Sequence, residues 1–399
     1  MHEDTRWIDL WPGFRVTDSR ITNDSAWLRL EPVRQLLRCG RCLGLADSVH
    51  DHCERSVREL PLAGRTLTLQ VRLLRVNCPD CGPSLQRIRW LDRFARMTRA
   101  MAQAVARCCD KLPIKHVAQM FGLHWSTVQQ LDKRRLTQIV TQLPRAQPQR
   151  LVMDEFALYK GHRYASVIMD ADTRQVLYVA QGRTRESIRP FFEGLGPEGC
   201  KRIEAVAMDM NTAFDLEVRR WCPKARVVYD LFHVIAKYGR EVISRVRVDA
   251  ANAVRRDKIA RRQIKQAHWL LLRNPEHLQG KEQVRLAEVL AANTSLMTVY
   301  VLKQSLKSLW TAPEPWEWRR RWKQWHAHCE ESGIDCLQLF ARRLKKYWPG
   351  ILARVRWAMH TGQLEGMNNR IKVIKRMAYG YRDSEYFFLK IKAAFHGNP

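Results

Sequence analysis

A stretch of three closely spaced strand patterns, from Leu151 to Gly182, constrains the fold of this 399-residue chain more than any other. Short runs rich in Val, Ile and Tyr alternate with turn segments, which is typical of a β-meander. The predicted strands cover residues 151–158, 164–170 and 175–180. Asp154 lies inside the first strand, where an ionised carboxylate is costly unless a cation or a hydrogen bond compensates it. Asp154 is therefore either a metal ligand or a strand-end residue that reaches solvent or an arginine.

Two further strand patterns follow the meander, and each ends at an aspartate. The run IEAVAM ends at Asp209 and the run RVVY ends at Asp230, with helical patterns before and between them. The resulting order, β-β-β-α-β-α-β, is that of a ribonuclease H-like core, in which the first and fourth strands are neighbours. Asp154 and Asp209 are therefore predicted to lie side by side, where a divalent cation would relieve their repulsion.

A third carboxylate, Glu365, lies in a predicted helix near the C-terminus. Glu365, Asn369, Lys372 and Arg376 have helical spacing and share one face, with Lys375 beside it. A glutamate near a helix start is usually a capping or solvated residue. Because it follows the two strand aspartates, Glu365 is instead predicted to bind the same metal, while the basic residues of the helix hold a phosphate backbone next to it.

The charge of the chain sets the class of partner, because Lys and Arg outnumber Asp and Glu by 69 to 40 and give a formal charge of +29. Such an excess predicts a polyanionic partner, either nucleic acid or an anionic membrane surface. The sequence has no uncharged apolar run of about 18 residues and no signal-peptide pattern at its N-terminus. We therefore expect a cytoplasmic protein that binds nucleic acid and no membrane.

Two Cys-x-x-Cys pairs predict a structural zinc site. The pairs are Cys39 with Cys42 and Cys78 with Cys81. In the reducing cytosol, paired cysteines are more often metal ligands than disulfides, and four thiolates complete a closed tetrahedral shell around Zn²⁺. The interval between the pairs is long for a zinc ribbon, and His50, His52 and Cys53 within it are alternative ligands. The competing interpretation is four thiols without a metal.

Residues 93–143 have the pattern of a helix-turn-helix. The run IKHVAQMF is followed by a turn at Gly122 and by the polar run WSTVQQLDKRRL. The alternative is an ordinary helical hairpin. If the motif is a helix-turn-helix, the residues predicted to face the DNA major groove are Ser126, Thr127, Gln129, Gln130 and Lys133.

Between Gly239 and His360 the strand signal stops, and helical patterns rich in Lys and Arg take its place. We expect a basic, all-helical insertion here. A group of tryptophans beside cations has two interpretations, because such rings can stack on unpaired bases but more commonly belong to a core. The tryptophans are Trp316, Trp318, Trp322 and Trp325.

With these features the chain resembles bacterial insertion-sequence transposases that have an Asp-Asp-Glu triad and an N-terminal cysteine region. The resemblance covers nearly the whole chain. Its specific parts are the paired cysteines, MDEFALYKGHRYASVIMD, AMDM followed by RVVYDLFHVIAKY, and EGMNNRIKVIKRMAYGYRD. It implies that Asp154, Asp209 and Glu365 are catalytic and hold two Mg²⁺ ions. Asp230 and His233 resemble the family's Asp-x-x-His element, although Asp230 could equally cap the following helix.

The resemblance further implies a transposase that cleaves DNA strands and joins them to a target at a magnesium pair. The zinc module and the helix-turn-helix would bind the terminal inverted repeats of the insertion sequence, and the insertion would bind flanking phosphates. We expect a homo-oligomer, a dimer when two ends are paired, acting at the nucleoid. The alternatives are a metal-dependent nuclease that does not join strands and a DNA-binding regulator with a non-catalytic core.

The predicted fold is multidomain α/β. Its segments are a zinc-binding module (1–92), a helix-turn-helix domain (93–143), the first part of a ribonuclease H-like mixed-sheet core (144–238), a basic helical insertion (239–360) and the C-terminal helix of the core (361–399).

Overall fold

The computed structural model describes residues 10–33, 37–159, 163–357, 359 and 362–397, apart from the side chains at 232 and 362–365. The chain divides into two compact units. The first consists of Met1–Gln142 and Lys375–Arg382, and the second consists of Leu143–Ile374 and Asp383–Pro399. The division into five segments stays a prediction.

A five-stranded sheet forms the larger part of the first unit. Its strands are β1 (Phe14–Ile21), β2 (Ser25–Pro32), β3 (Ser48–Leu62), β4 (Arg65–Cys78) and β5 (Gly82–Leu85). They lie in the order β1-β2-β4-β3, and β5 pairs with the end of β4. Only β2 and β4 are parallel among these pairs. Alternate residues of β4, such as Leu69 and Val71, are buried in a small core, as expected for a sheet with one covered face.

Three helices complete the first unit. They are α1 (Arg99–Cys108), α2 (Ile114–Phe121) and α3 (Trp125–Gln142). Gly122 ends α2 with a φ of 57°, a left-handed conformation that favours glycine and produces the tight turn before α3. Met101, Val105 and Val117 are buried between these helices. The predicted succession of helix, glycine turn and polar helix is confirmed.

A second five-stranded sheet is the centre of the second unit. Its strands are β6 (Arg150–Tyr159), β7 (Arg163–Asp170), β8 (Val176–Gln181), β9 (Ala205–Met208) and β10 (Arg226–Tyr229). They lie in the order β10-β9-β6-β7-β8. The first three strands form an antiparallel meander, whereas β9 and β10 run parallel to β6. The predicted meander, the predicted pairing of the first and fourth strands, and the mixed sheet of a ribonuclease H-like core are confirmed.

Helices make up most of the rest of the second unit. They are α4 (Arg185–Arg202), α5 (Thr212–Trp221), α6 (Leu231–Tyr238), α7 (Ser244–Ala253), α8 (Lys258–Gln266), α9 (His268–Leu272), α10 (Lys281–Ala291), α11 (Thr294–Ser308), α12 (Pro315–Glu331), α13 (Asp335–Leu344), α14 (Trp348–Arg356), α15 (Gly362–Met377) and α16 (Ser384–Ala394). In the described part of the chain between β10 and α15, all regular structure is helical, as predicted for the insertion.

The tryptophans of α12 belong mainly to the core. Trp318 and Trp325 are 1% and 0% exposed, and Trp318 stacks on Trp322 with ring centroids 5.4 Å apart. Trp316, in contrast, is 62% exposed. Because three of the four rings are buried, the base-stacking interpretation is wrong for them.

Helix α14 lies against β10, which is an edge strand of the second sheet. The close approach depends on Gly350, because a Cβ atom there would lie 2.5 Å from the Tyr229 ring and 3.1 Å from the carbonyl oxygen of Val227. A residue larger than glycine would therefore displace α14 from the strand.

Candidate functional site

Asp154 and Asp209 lie beside each other on neighbouring parallel strands. Val152 of β6 pairs with Ala207 of β9, and each aspartate follows its paired residue by two positions. Asp154 is 7% exposed within β6, whereas Asp209 directly follows the last residue of β9. The strand register thus places the two carboxylates where the sequence predicts them.

A third aspartate, Asp230, lies at the end of the third parallel strand. Asp154, Asp209 and Asp230 are together called the aspartate row. Asp230 directly follows β10, whose last residue, Tyr229, pairs with Met208 at the end of β9. His233, in the first turn of α6, reaches both neighbouring carboxylates. Its Nδ1 lies 3.2 Å from Asp209 Oδ2, and its Nε2 lies 3.9 Å from Asp230 Oδ2. The structure therefore brings both residues of the Asp-x-x-His element to the aspartate row.

Asn368, which the sequence did not predict as a site residue, contacts Asp154 directly. Its Nδ2 donates a hydrogen bond of 2.7 Å to Asp154 Oδ2, while the Glu155 backbone amide donates one of 2.7 Å to Oδ1. The residue predicted from a spacing of four after Glu365 is the exposed neighbour Asn369. Asn368 follows Glu365 by three, a spacing that shares a helix face equally well. That spacing is the signal that could have identified it.

Glu365 belongs to α15, one helical turn before Asn368. Its side chain lies outside the described residues, so its part in the site stays a prediction.

The electrostatics of the row favour a bound cation. Burial raises the pKa of Asp154, the nearby charge of Asp209 adds to this, and hydrogen bonds from Glu155 and Asn368 only partly offset the rise. Burial would also raise the pKa of Asp209, but the hydrogen bond and the charge of His233 outweigh burial and lower that pKa. The pKa of His233 is raised, because the surrounding aspartates outweigh its burial.

The donor atoms at this row fit a hard divalent cation. Besides the aspartate oxygens, Asn368 Oδ1 is a buried oxygen atom for which the described structure contains no hydrogen-bond partner. An unpartnered oxygen beside a carboxyl group with a raised pKa indicates a need for positive charge. Mg²⁺ is bound by oxygen ligands of this kind. Asp154, Asp209 and the Asn368 amide could therefore hold such an ion.

The four predicted cysteines come together in the first unit. Cys39 and Cys42 lie in the turn before β3, Cys78 ends β4, and Cys81 lies in the turn to β5. Their sulfur atoms all lie within 4.8 Å of one another. Tetrahedral zinc with Zn–S bonds of about 2.3 Å separates its sulfurs by about 3.8 Å, so the cluster fits one ion.

The alternative zinc ligands are not part of this cluster. His50, His52 and Cys53 lie exposed along β3, on a strand and not in either turn. Among the residues that the structure describes, no other group of three or more His, Cys, Asp or Glu side chains brings its ligand atoms so close together.

The four clustered thiols differ in pKa. Burial opposes ionisation of Cys39, but hydrogen bonds to Ser84 and to backbone amides outweigh it and lower its pKa to about 6. The neighbouring Cys42 thiol and burial raise the pKa of Cys81 to about 12. The Cys39 thiol therefore ionises readily, whereas the Cys81 thiol resists ionisation. A divalent cation would stabilise both as thiolates.

The predicted DNA-contacting residues lie on two helices. On α3, Gln130 is exposed, and Ser126, Thr127, Gln129 and Lys133 are half-buried. On α15, Lys372 and Arg376 are exposed, and Lys375 is half-buried. Their roles in DNA binding stay predictions. None of the described helices combines the length and the apolar character needed to cross a lipid bilayer.

Comparison with known protein families gives matches along most of the chain. Residues 35–81 match the zinc-finger of transposase IS204/IS1001/IS1096/IS1165. Residues 86–136 match the helix-turn-helix domain of transposase family ISL3, and residues 151–391 match the transposase domain of the same family, which is of the DDE class. The helix-turn-helix prediction is confirmed, and the zinc-finger match and the cysteine cluster together support a structural zinc.

Comparison with individual proteins gives the same result. The chain is 48% identical over 392 residues to the transposase for insertion sequence element IS1001 of Bordetella parapertussis, with 97% of each chain covered. It is 28% identical over 405 residues to the transposase for insertion sequence element IS1557 of Mycobacterium tuberculosis, with 94% of this chain and 88% of that protein covered. From these matches and the architecture of both units, the chain belongs to the ISL3 family of transposases.

Proposed function

We propose that this transposase cuts the ends of its insertion sequence and joins them to target DNA at a metal centre held by Asp154, Asp209 and Glu365. The observation that carries the proposal is the placement of Asp154 and Asp209 on neighbouring parallel strands, where burial and mutual repulsion raise the pKa of Asp154. When bound there, two Mg²⁺ ions would activate the attacking oxygen and stabilise the leaving oxygen of a phosphodiester.

In this proposal Asn368 and His233 position the two aspartates, and Asn368 also offers its Oδ1 atom to the ion. Each fixes one oxygen of an aspartate, because Asn368 donates to Asp154 and His233 lies at hydrogen-bonding distance from Asp209. Asp230, on the other side of His233, helps to keep the imidazole charged and oriented. Groups that orient metal ligands in this way commonly change metal affinity or activity by about 10- to 100-fold when they are removed.

The overall reaction needs no covalent enzyme intermediate. Water attacks the phosphodiester at the transposon end and leaves a free 3′-hydroxyl. That 3′-oxygen then attacks a target phosphodiester, a new P–O bond forms, and the 3′-oxygen of the target strand leaves. Two ends have to be paired for insertion, so we expect two copies of the chain, each with its helix-turn-helix on one terminal inverted repeat, at the bacterial nucleoid.

Amide substitutions test the triad. Asp154→Asn, Asp209→Asn and Glu365→Gln keep the side-chain shape but remove a charge that the cations need, so strand cleavage and joining in Mg²⁺ should fall by about 10³-fold or more. Asp172→Asn is the matched control, because Asp172 is an exposed carboxylate of the same unit that pairs with Arg150. End-binding in Ca²⁺ should be unchanged in all four variants, and full activity of Asp209→Asn would refute the assignment.

The same assay decides between the alternatives. A nuclease would release cut ends without joining them, and a regulator would bind the ends without cutting them. Asp230→Asn should reduce joining less than Asp209→Asn does, because Asp230 reaches the row through His233. An equal loss would place Asp230 among the metal ligands.

A further inference from the structure

Helix α8 of the second unit carries a stripe of cations that the proposed reaction does not use. Its basic residues are Lys258, Arg261, Arg262 and Lys265. They fall at positions i, i+3, i+4 and i+7 of a nine-residue helix and therefore share one face. Ile264, on a different face, is the buried residue of α8 and anchors the helix to the unit. Two more exposed cations, Arg255 and Arg256, lie in the turn before the helix.

These six cations have no carboxylate at ion-pairing distance among the residues that the structure describes. Cations in neighbouring elements are paired, since Arg245 lies 3.1 Å from Asp249 and Arg273 lies 2.8 Å from Glu282. The single acid of the segment, Asp257, is occupied as the N-cap of α8, where it accepts hydrogen bonds of 2.9 and 3.0 Å from two backbone amides. The charge of the stripe is therefore uncompensated by any carboxylate in the described part of the chain.

An uncompensated stripe of this kind costs helix stability. Lys258 and Arg262 are like charges at a spacing of four, as are Arg261 and Lys265, and such pairs destabilise a helix. An external polyanion would turn this repulsion into attraction. From Lys258 to Lys265 the stripe covers seven helical steps, or about 10 Å at 1.5 Å per residue, which matches roughly three phosphates of one DNA strand.

We propose that the α8 stripe binds the phosphate backbone of duplex DNA without regard to base sequence. DNA is favoured over an anionic membrane because the chain is a transposase and has DNA as its substrate. Of the two isoleucines of α8, Ile264 is 8% exposed, and Ile259, which is 74% exposed, lies about 100° round the helix from Lys258 and off the basic face. The α8 stripe is part of neither the helix-turn-helix nor the aspartate row. It gives the phosphate contact expected of the helical insertion a specific place in the fold, and it does not depend on the triad.

The salt dependence of DNA affinity tests this surface. The variant Lys258→Gln, Arg262→Gln, Lys265→Gln of the full chain should bind a duplex of arbitrary sequence about 100-fold more weakly at 0.1 M salt. A plot of log affinity against log salt has a negative slope, and the magnitude of that slope should decrease by about 2 to 3, close to one per lost phosphate contact. An unchanged slope would overturn the proposal, as would retained duplex binding together with lost binding to phosphatidylserine vesicles.

A charge-matched variant separates a local surface from general attraction. Lys201→Gln, Arg219→Gln, Arg245→Gln removes the same three charges from exposed residues of the same unit that already pair with carboxylates. This variant should change the slope by less than about one. Equal losses in both triple variants would show that only net charge matters and would overturn the proposal.

Two further measurements distinguish the loss of phosphate contacts from misfolding of the variant. The charge-conserving variant Lys258→Arg, Arg262→Lys, Lys265→Arg should keep the slope of the parent chain, and loss of slope there would contradict the proposal. The glutamine variant should melt no lower than the parent, because it removes like-charge repulsion. If it does melt lower, Lys258→Gln and Lys265→Gln singly should each reduce the slope by about one.

Asp209→Asn should lose joining but keep the parental slope, so failure of the triad and failure of the stripe appear in different measurements.

Discussion

The two candidate metal sites of this transposase are built in opposite ways. The zinc ligands come from two short turns, and their sulfur atoms lie within 4.8 Å of one another. The aspartate row is assembled from separate strand ends, and Asn368 reaches it from 214 residues away in the sequence. A structural ion needs a complete shell that excludes other ligands, whereas a catalytic ion needs positions left open for substrate oxygens. The local motif suits the first role, and the dispersed arrangement suits the second.

The chemistry of the ligands deepens this contrast. Four thiolates around zinc form a closed shell that releases the ion slowly. A bound ion would also offset the difference in pKa between Cys39 and Cys81. Asp154 and Asp209 come from adjacent strands, whose backbones are about 4.8 Å apart in a sheet, and each is held by a neighbour that is not an acid. We therefore expect a tightly bound ion in the first unit and exchangeable ions in the second.

The largest effect should come from chelation, which separates the two ions by their exchange rates. Brief treatment with EDTA should abolish strand cleavage and joining, and Mg²⁺ should restore both in full, because carboxylate-bound Mg²⁺ exchanges readily. Zinc content, measured by metal analysis on the same samples, should remain unchanged. Activity that persists in EDTA, or recovery that requires added zinc, would break the distinction between the two sites.

The next largest effect should come from opening the thiolate shell. Cys78→Ser with Cys81→Ser removes two of the four ligands, so the chain should lose its zinc and with it about 10 kcal/mol of metal-linked folding free energy in that region. Zinc analysis and thermal unfolding measure this loss. Cys53→Ser, an exposed thiol on β3, is the matched control and should keep both zinc and stability. Zinc retained in the double variant would contradict the four-cysteine site.

A smaller effect should follow from removing the residue that positions Asp154. Asn368→Ala should reduce joining by about 10- to 100-fold. It should also shift the acid limb of the pH–rate profile to higher pH. The hydrogen bond from Asn368 lowers the pKa of Asp154, so its removal raises that pKa, and this carboxyl must be ionised to act. Asn369→Ala, at the exposed neighbouring position, should do neither. A reduced rate with an unshifted profile would indicate a structural role only.

The smallest effect concerns Glu217, a buried carboxylate outside both metal sites. Burial would raise its pKa, but hydrogen bonds from Arg189 and Arg185, each 2.8 Å long, and from Trp221 lower it to about 2. A depressed pKa contributes stability above the unfolded value of about 4.3, and this stability is lost as pH falls toward 2. Glu217→Gln should cost about 2 kcal/mol at pH 7, and the difference from the parent should vanish in acid unfolding curves near pH 2. A difference independent of pH would contradict this assignment.

Local patterns predicted a large part of the fold. The meander and the helical insertion follow from apolar periodicity and turn residues, which act over a few positions. The adjacency of β6 and β9 followed from the β-β-β-α-β-α-β order, which is that of a ribonuclease H-like core. The cysteine cluster was predictable because Cys-x-x-Cys spacing already places two sulfurs together.

Tertiary contacts account for what the sequence did not predict. Which of two adjacent asparagines reaches Asp154 depends on how α15 is rotated, and a spacing of three or four suits both. The burial of Trp318 and Trp325 depends on packing within the insertion, because a basic, aromatic pattern is equally compatible with an exposed surface. The predicted contacts of α3 with DNA depend on a partner and stay predictions.

The dependence of β10 on α14 has a consequence for synthesis of the chain. β10 is an edge strand whose covering helix is encoded about 120 residues later, and Gly350 allows that helix to lie directly on it. At translation rates of about 5–20 residues per second, the strand edge stays uncovered for on the order of ten seconds. An uncovered edge is a template for pairing with another nascent chain. Completion of α14 therefore also ends a window of aggregation risk, and a ribosome that stalls before it would leave β10 of the second sheet uncovered.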